Sequence, residues 1–410
     1  MSEHILLINF DFPPNQGIGG RRWGKLAKGL ANEGYKVHVI KADPIPGNKP
    51  SIWTDDVKHP NIEVTSIRRT YPSILSHPGS SIIDKLRYRL ELIRLKRQVK
   101  GTIYDLSATW DKFLIPACER ICSDFPISRI IATGAPWHLL FSIGEWNAAN
   151  RNLQYIVDFR DPWLYAKNYG MASLDAKRKA YETLKQARVL ELADVILSPA
   201  SGIVQELIQF ASERSIQTGR MFTLHHFFDE DDFKNLALSK HSSSKEFRIV
   251  YGGDLYLDLE PELRKVVAFF LEHNHGEYKV HLDIYTDASV PVFMRDVPSI
   301  SIHPTAGKSF YTIASQADAF LILLPEHKKN EFTTKFYDNL PFQKPYLVAT
   351  HGGEVAQFVE QNEMGYVWKS QDVYPWYEHI KNNTFNFSPH NDIGAYSLTA
   401  ATKQLITLFR

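Results

Sequence analysis

Three glycines, Gly17, Gly19 and Gly20, lie between the apolar run Ile5–Phe10 and the segment Trp23–Asn32. A glycine-rich turn between a buried strand and a helix lets backbone N–H groups approach an anionic ligand, and a helix start favours negative charge. The spacing is neither the dinucleotide fingerprint G-x-G-x-x-G nor the P-loop G-x-x-x-x-G-K-[ST]. A second pair, Gly252-Gly253, follows another apolar run, Phe247–Tyr251. Two further stretches carry groups able to hold a hydroxyl or a phosphate. Asp158-Phe159-Arg160-Asp161 ends an apolar run, so its charges should face a ligand cleft, with Arg160 paired to Asp158 or to a phosphate. His138 follows the turn Thr133-Gly134-Ala135-Pro136, near a helix start. Asp229-Glu230-Asp231 has the D-x-D spacing with which paired carboxylates hold a divalent cation against a diphosphate. It sits where periodicity gives way to a polar linker, and no metal is expected there.

These residues need a scaffold, and its pattern is an alternation of strands and helices. Ile5–Phe10 reads as a strand buried on both faces, and Trp23, Leu26, Ala27 and Leu30 form a helical stripe closing at Gly34. Short β-rich runs recur at Tyr35–Ile40, Ile62–Ile67, Arg129–Thr133, Leu153–Val157, Val195–Ser198 and Met221–Leu224. After the polar run His241-Ser242-Ser243-Ser244-Lys245 the pattern restarts at Phe247–Tyr251, Lys279–Tyr285, Ile300–His303, Ala319–Leu324 and Tyr346–Ala349. The expected fold is α/β: two Rossmann-like, doubly wound parallel-sheet domains facing a cleft, with ligands beyond the carboxyl ends of the strands. The expected boundaries are 1–228 for the first domain, 229–246 for a linker and 247–394 for the second. A C-terminal helix in 395–410 completes the first domain.

Composition narrows the class. The 410 residues are 44% hydrophobic and 23% charged with a net charge of +1, so no global attraction to nucleic acid is expected. Cys118 and Cys122, four apart, fit neither a zinc ribbon nor a redox pair and read as small buried side chains on one helical face. Met1-Ser2-Glu3-His4 carries no basic leader region, and no apolar window is long enough to span a bilayer. A reducing cytoplasm is the expected compartment. The segment 84–100 stands apart: Lys85, Arg87, Arg89, Arg94, Lys96, Arg97 and Lys100 surround Leu86, Leu90 and Ile93 at helical spacing. Two readings stay open, a helix touching anionic headgroups on the inner face of a membrane and a solvated face on a core helix.

Several stretches, in order, resemble one family. Pro13-Pro14, Gly17, Gly19, Arg22-Trp23 and Glu33-Gly34-Tyr35-Lys36-Val37 are similar to the N-terminal acceptor-side loop and first helix of GT-B glycosyltransferases of the GT4 type. Asp158-Phe159-Arg160-Asp161-Pro162-Trp163 resembles the D-F-R-D-P-W block of one GT4 subgroup, and Ala193–Ser198 its A-D-x-I-x-x-S strand. Tyr251-Gly252-Gly253-Asp254-Leu255-Tyr256 resembles the start of the donor domain, and Thr334–Leu340 with Lys344-Pro345 the K-[LF]-[FY]-[ED]-Y-L…G-[KR]-P block. Two features depart from the family pattern. Its acidic pair, E-x7-E, is here Asn330 with Glu331 beside it, then Asp338. The basic residues that usually follow the donor glycines are replaced by Leu257-Asp258-Leu259-Glu260.

The resemblance implies a metal-independent transferase without a cofactor. It would move a sugar, with retention, from a nucleotide-sugar donor to a hydroxyl of a glycan or lipid-linked acceptor, in cell-surface polysaccharide synthesis. A leaving diphosphate gains charge and needs N–H donors and cations. Gly252 and Gly253 would supply the former and Lys335 the latter. Asp338 would accept from ribose hydroxyls and Glu331 would contact the transferred sugar. Asp161, Arg160 and His138 are the catalytic candidates: Asp161 would position the acceptor hydroxyl or sugar, Arg160 would pair with Asp158 or a phosphate, and His138 would contact acceptor or donor. Beside them lies the acceptor-side loop, in which Gly19 and Gly20 would admit substrate and Arg22 would meet its charge or the donor phosphate. The alternatives are a UDP-sugar epimerase of the same fold and a catalytically silent nucleotide-sugar-binding homologue.

Overall fold

The computed structural model describes residues 2–165, 169–234, 236, 246–272, 279–329, 331–369, 375–382, 384–385, 387–388 and 392–409. Most of the polar linker (235 and 237–245) and Asn330 therefore lie outside the described residues. The chain divides into two compact units, Met1–His225 with Thr402–Arg410, and His226–Ala401.

The first unit is built on a seven-stranded sheet whose pairings are all parallel. Its strands are β1 (His4–Ile8), β2 (Lys36–Ala42), β3 (Ile62–Ile67), β4 (Ile127–Gly134), β5 (Gln154–Phe159), β6 (Val195–Ser198) and β7 (Arg220–Thr223). They run in the order β3-β2-β1-β4-β5-β6-β7. Ile5 to Ile8 are at most 1% exposed, as expected of a parallel strand covered on both faces. The helix Arg21–Asn32 turns Trp23, Leu26, Ala27 and Leu30 inward and ends before Gly34, whose φ is 91°. The final residues dock on this unit. Gln154 donates to the Leu408 carbonyl at 2.9 Å, and the Arg129 guanidinium lies 4.1 Å from the centre of the Phe409 ring.

The second unit has a six-stranded, likewise parallel sheet in the order β10-β9-β8-β11-β12-β13. The strands are β8 (Glu246–Gly252), β9 (Lys279–Tyr285), β10 (Ile300–His303), β11 (Ala319–Leu323), β12 (Tyr346–Ala349) and β13 (Gly365–Trp368). The strand pattern in the sequence ends at β12. β13 escapes it because it opens on a glycine and only its last residue, Trp368, is buried, so Gly-Tyr-Val-Trp does not read as an apolar run. Two apolar clusters cover the sheet, one centred on Leu263, Phe269, Leu282 and Trp376, the other on Phe320, Phe336, Leu340 and Val359.

In each sheet the strand order reverses once, between β1 and β4 and between β8 and β11. The loops leaving the carboxyl ends of these strands diverge, and the gap between them is where doubly wound sheets hold ligands. Both glycine turns lie there. The cysteines lie elsewhere, on the helix Asp111–Asp124. Cys118 is buried in the core with its thiol pKa pushed up by burial, and Cys122 packs against that core.

Candidate functional sites at the two strand-order reversals

At the β1/β4 reversal the chain leaves β1 through Asn9 and Asp11, makes a short 3-10 turn at Ile18–Gly20 and enters the helix Arg21–Asn32. Gly19 and Gly20 are both buried, and neither leaves room for a side chain. A Cβ on Gly20 would strike the Asp11 carbonyl oxygen, and one on Gly19 would strike the Arg160 guanidinium. The Gly19 position is therefore a floor for Arg160. Arg160 Nε donates to Asp161 Oδ2 at 3.0 Å and Nη2 to the Ala135 carbonyl at 3.4 Å. Its carboxylate partner is Asp161, which corrects the expected pairing with Asp158.

Asp158 has another task. Its carboxylate is fully buried and accepts from Arg22 Nε (3.2 Å), Arg22 Nη2 (3.3 Å), Trp23 Nε1 (2.7 Å) and Thr133 Oγ1 (3.3 Å). Arg22, 1% exposed, also donates to the carbonyls of Leu224 (2.7 Å) and His225 (3.0 Å). The expectation that Arg22 meets substrate, and that Asp158 faces a cleft, is thus overturned. The pair is a buried structural bridge tying the first helix to β5 and to the end of β7.

Three residues that the sequence reading passed over complete this locus. Asp11 lies 3.5 Å from Arg69 Nη2, and Arg69 Nε donates to the Asp43 carbonyl at 2.5 Å. Burial raises the Asp11 carboxyl above its usual range, more than Arg69 and Arg160 lower it. Lys41, 2% exposed, donates to Asn15 Oδ1 (3.3 Å) and to its neighbour's carbonyl at Ala42 (3.1 Å). Burial brings its pKa down to about 8. The signal available in the sequence was position: Asp11 directly follows a buried strand, and Lys41 interrupts the apolar run of β2.

His138 begins the helix His138–Asn150, and its Nε2 lies 3.1 Å from Asp111 Oδ2. The helix start is not open to a ligand. Asp105 Oδ2 accepts from the N–H groups of Trp137 (3.0 Å) and His138 (2.8 Å), and Ser107 Oγ accepts from Leu139 N–H at 3.1 Å. Asp105 is 1% exposed, so the protein supplies its own anion there. Nothing local in the sequence marks this cap, since Asp105 lies 33 residues before the N–H of His138 that it accepts from.

At the β8/β11 reversal the chain turns at Gly252-Gly253. Gly253 has φ 140°, a conformation that L side chains rarely adopt. Its N–H donates to the Tyr285 carbonyl at 2.9 Å. That hydrogen bond is a correction, since this N–H was expected to be free for a diphosphate. The glycine has a different use: a Cβ on Gly253 would collide with Cε of Lys335, which crosses directly over it. Lys335 Nζ donates to the Tyr251 hydroxyl at 3.1 Å and lies 4.8 Å from the centre of its ring. The Tyr251 hydroxyl donates onward to the Asp254 carbonyl at 2.9 Å. Burial lowers the Lys335 pKa, and Tyr256 and Asp254 oppose that shift. Among the described residues no carboxylate lies within 4 Å of this ammonium.

Lys335 and Asp338 are three apart on the helix Thr334–Asn339, and both are half-buried. Glu331 precedes the helix, with its N–H held by the Lys328 carbonyl at 2.9 Å. Asp229 Oδ1 accepts from Asp231 N–H at 3.1 Å within its own turn, and Glu230 Oε1 accepts from Thr399 N–H at 3.3 Å at the start of the helix Leu398–Ile406. The second site thus brings Gly253, Tyr251 and Lys335 together, with Asp338 on the same helix. The first brings Gly19, Arg160 and Asp161 together and sets Arg22 aside.

No protein-family profile matches the chain, and no curated protein matches its sequence. Solved structures do resemble it. An E. coli trehalose-6-phosphate structure bound with UDP-2-fluoro glucose is 10% identical, over 100% of this chain and 99% of the other, with a TM-score of 0.66. Anabaena HepE in complex with UDP and glucose is 10% identical, over 99% and 98%, with a TM-score of 0.59. The lipopolysaccharide outer core galactosyltransferase WaaB is also 10% identical, over 99% and 98%, with a TM-score of 0.59. The fold shared with these proteins is GT-B: two parallel-sheet α/β domains.

Proposed function

We propose that this chain is a glycosyltransferase that moves a sugar from a nucleotide-sugar donor to a hydroxyl of a glycan or lipid-linked acceptor, with retention. The observation that carries the reading is Lys335 lying over Gly253 at the strand-order reversal of the second sheet, with no carboxylate within 4 Å among the described residues. A half-buried ammonium so placed suits a diphosphate, whose charge grows as the bond to the sugar breaks. In this reading Lys335 meets that charge in place of a bound cation. Asp338 accepts from the ribose hydroxyls and Glu331 from the transferred sugar. On the first unit, Asp161 accepts a hydrogen bond from the acceptor hydroxyl, and Arg160 holds Asp161 in place or meets an anionic group of the acceptor.

Two of the similar structures were solved with UDP or a UDP-sugar, so UDP-sugars are the first donors to test. The experiment is calorimetric titration of a UDP- and GDP-sugar panel, followed by product analysis with and without candidate acceptors. Saturable donor binding, lost in Lys335→Ala, with sugar transferred to the acceptor, is the expected result. A stereoisomer of the donor formed without acceptor would replace transfer by epimerisation. Donor affinity unchanged in Lys335→Ala would remove the assignment of that residue.

A further inference from the structure

The helix Ile82–Gln98 presents apolar side chains on two opposite sides. Inward, Leu95 is buried and Leu92 packs with it in a small cluster containing Val99, Ile103, Tyr71 and Leu75. Outward, Ile82, Ile83, Leu86, Leu90 and Ile93 are 86, 68, 59, 59 and 49% exposed. With 3.6 residues per turn, these five fall within one sector about 100° wide and run for roughly 16 Å along the axis. Large aliphatic groups gathered this way on an exposed face call for a partner.

The charges around the stripe indicate which partner. At the same angular spacing Lys85, Arg89 and Lys96 border it on one side and Arg87 and Arg94 on the other, with Arg97 at its C-terminal end. The two acids of the helix point away from it and are engaged. Asp84 accepts from the Ser81 hydroxyl at 2.6 Å in a capping box, and Glu91 lies 3.6 Å from Arg94. The helix is held in place at its far end, where Arg178 donates to the carbonyls of Lys96 (2.6 Å), Val99 (2.8 Å) and Gly101 (2.6 Å). The net charge of the whole chain is only +1, so any attraction is local to this face.

We propose that this face docks on an anionic lipid surface, its aliphatic stripe entering the acyl boundary and its basic borders meeting headgroup phosphates on both sides. A nucleic acid would use the cations and leave five aliphatic side chains idle at the centre of the contact. Cations on both borders of an apolar strip match a plane of negative charge. Among the described residues no helix is long and apolar enough to cross a membrane, so the contact is with the membrane surface. The docking is independent of whether the chain transfers a sugar.

The test is co-sedimentation of the full chain with vesicles of phosphatidylcholine alone or mixed with phosphatidylglycerol. Binding at least about tenfold tighter to the phosphatidylglycerol vesicles is expected, weakening as salt rises. The double substitution Leu86→Glu/Leu90→Glu should abolish it, and Arg87→Glu/Arg94→Glu should weaken it at least about tenfold. Both pairs are exposed, so thermal unfolding should stay that of the parent and show that each variant is folded. Equal binding to both vesicle types, no binding, or variants that bind like the parent would overturn the proposal. So would a dimer, seen by size-exclusion chromatography, that Leu86→Glu/Leu90→Glu dissolves without any vesicle binding.

Discussion

Arg22 and Asp158, 136 residues apart, form a two-pronged ion pair that is sealed from solvent at 1 and 0% exposure. Removing one partner leaves the other charge buried and uncompensated, which typically costs about 3–5 kcal/mol. Asp158→Ala should therefore lower the urea midpoint by an amount corresponding to that range. It should lose activity through unfolding, with donor affinity of the folded fraction preserved. A soluble, stable Asp158→Ala protein with a selective kinetic defect would contradict the structural role.

Gly253 and Lys335 should fail together. Gly253→Ala places a side chain at φ 140° and against Lys335, with backbone strain of about 1–3 kcal/mol. Its nucleotide-sugar affinity should fall to that of Lys335→Ala, and the double variant should be no worse than either single. Calorimetry on the three proteins checks this, and additive losses would separate the two residues.

The lowered Lys335 pKa gives donor binding a pH dependence. The ammonium gives up its proton below the ordinary lysine value of 10.5, so affinity should begin to fall at a lower pH than in Lys335→Arg. Donor titrations across the alkaline range compare the two. Superimposable profiles would show that the charge of this residue is not what the donor reads.

Lys41 offers a stability test of opposite direction. Its pKa is about 8 in the folded chain against the ordinary 10.5, so between these values the unfolded state binds more protons. Stability contributed by this group therefore rises with pH across that window. Relative to Lys41→Met, the parent should gain stability from pH 8 to 10.5, measured as the difference between two urea midpoints. A constant difference would show that Lys41 titrates normally.

Arg160 should act on the acceptor alone. It lies over Gly19 in the first unit, away from the donor residues in sequence, and loss of a charged hydrogen bond costs about 1.5–3 kcal/mol. Arg160→Ala should raise the acceptor KM about ten- to a hundredfold with donor Kd unchanged. A changed donor Kd would move Arg160 to the other half of the reaction.

The inner parallel strands were legible because burial on both faces makes them short apolar runs, and Val195–Ser198 and Tyr346–Ala349, buried throughout, have the predicted bounds. Ile62–Ile67 also has the predicted bounds, but it is an edge strand with no buried residue and shows itself through its β-branched side chains. The two glycine turns were legible for the same reason, each standing at the end of such a run. What occupies them was not. Whether Arg22 or Arg160 faces outward depends on which carboxylate each meets, and Asp158 and Asp161 are three apart in one motif. Local pattern cannot choose between them; the path of the first helix past β5 does. The Asp105 cap on the His138 helix, 33 residues away, is likewise invisible until the chain is folded. The outward aliphatic stripe of Ile82–Gln98 was half seen: Leu86, Leu90 and Ile93 were plain, but only the fold shows that Leu92 and Leu95 take the core side and free the others.

Each glycine loop carries a long cationic side chain lying where a Cβ would be, Arg160 over Gly19 and Lys335 over Gly253. The glycine and its cation thus form one steric unit. A lineage that shortened the cation would relax the demand for glycine, and one that enlarged the glycine would have to displace the cation first. In a library randomised at both positions, selection should return the two members of each pair together or lose them together.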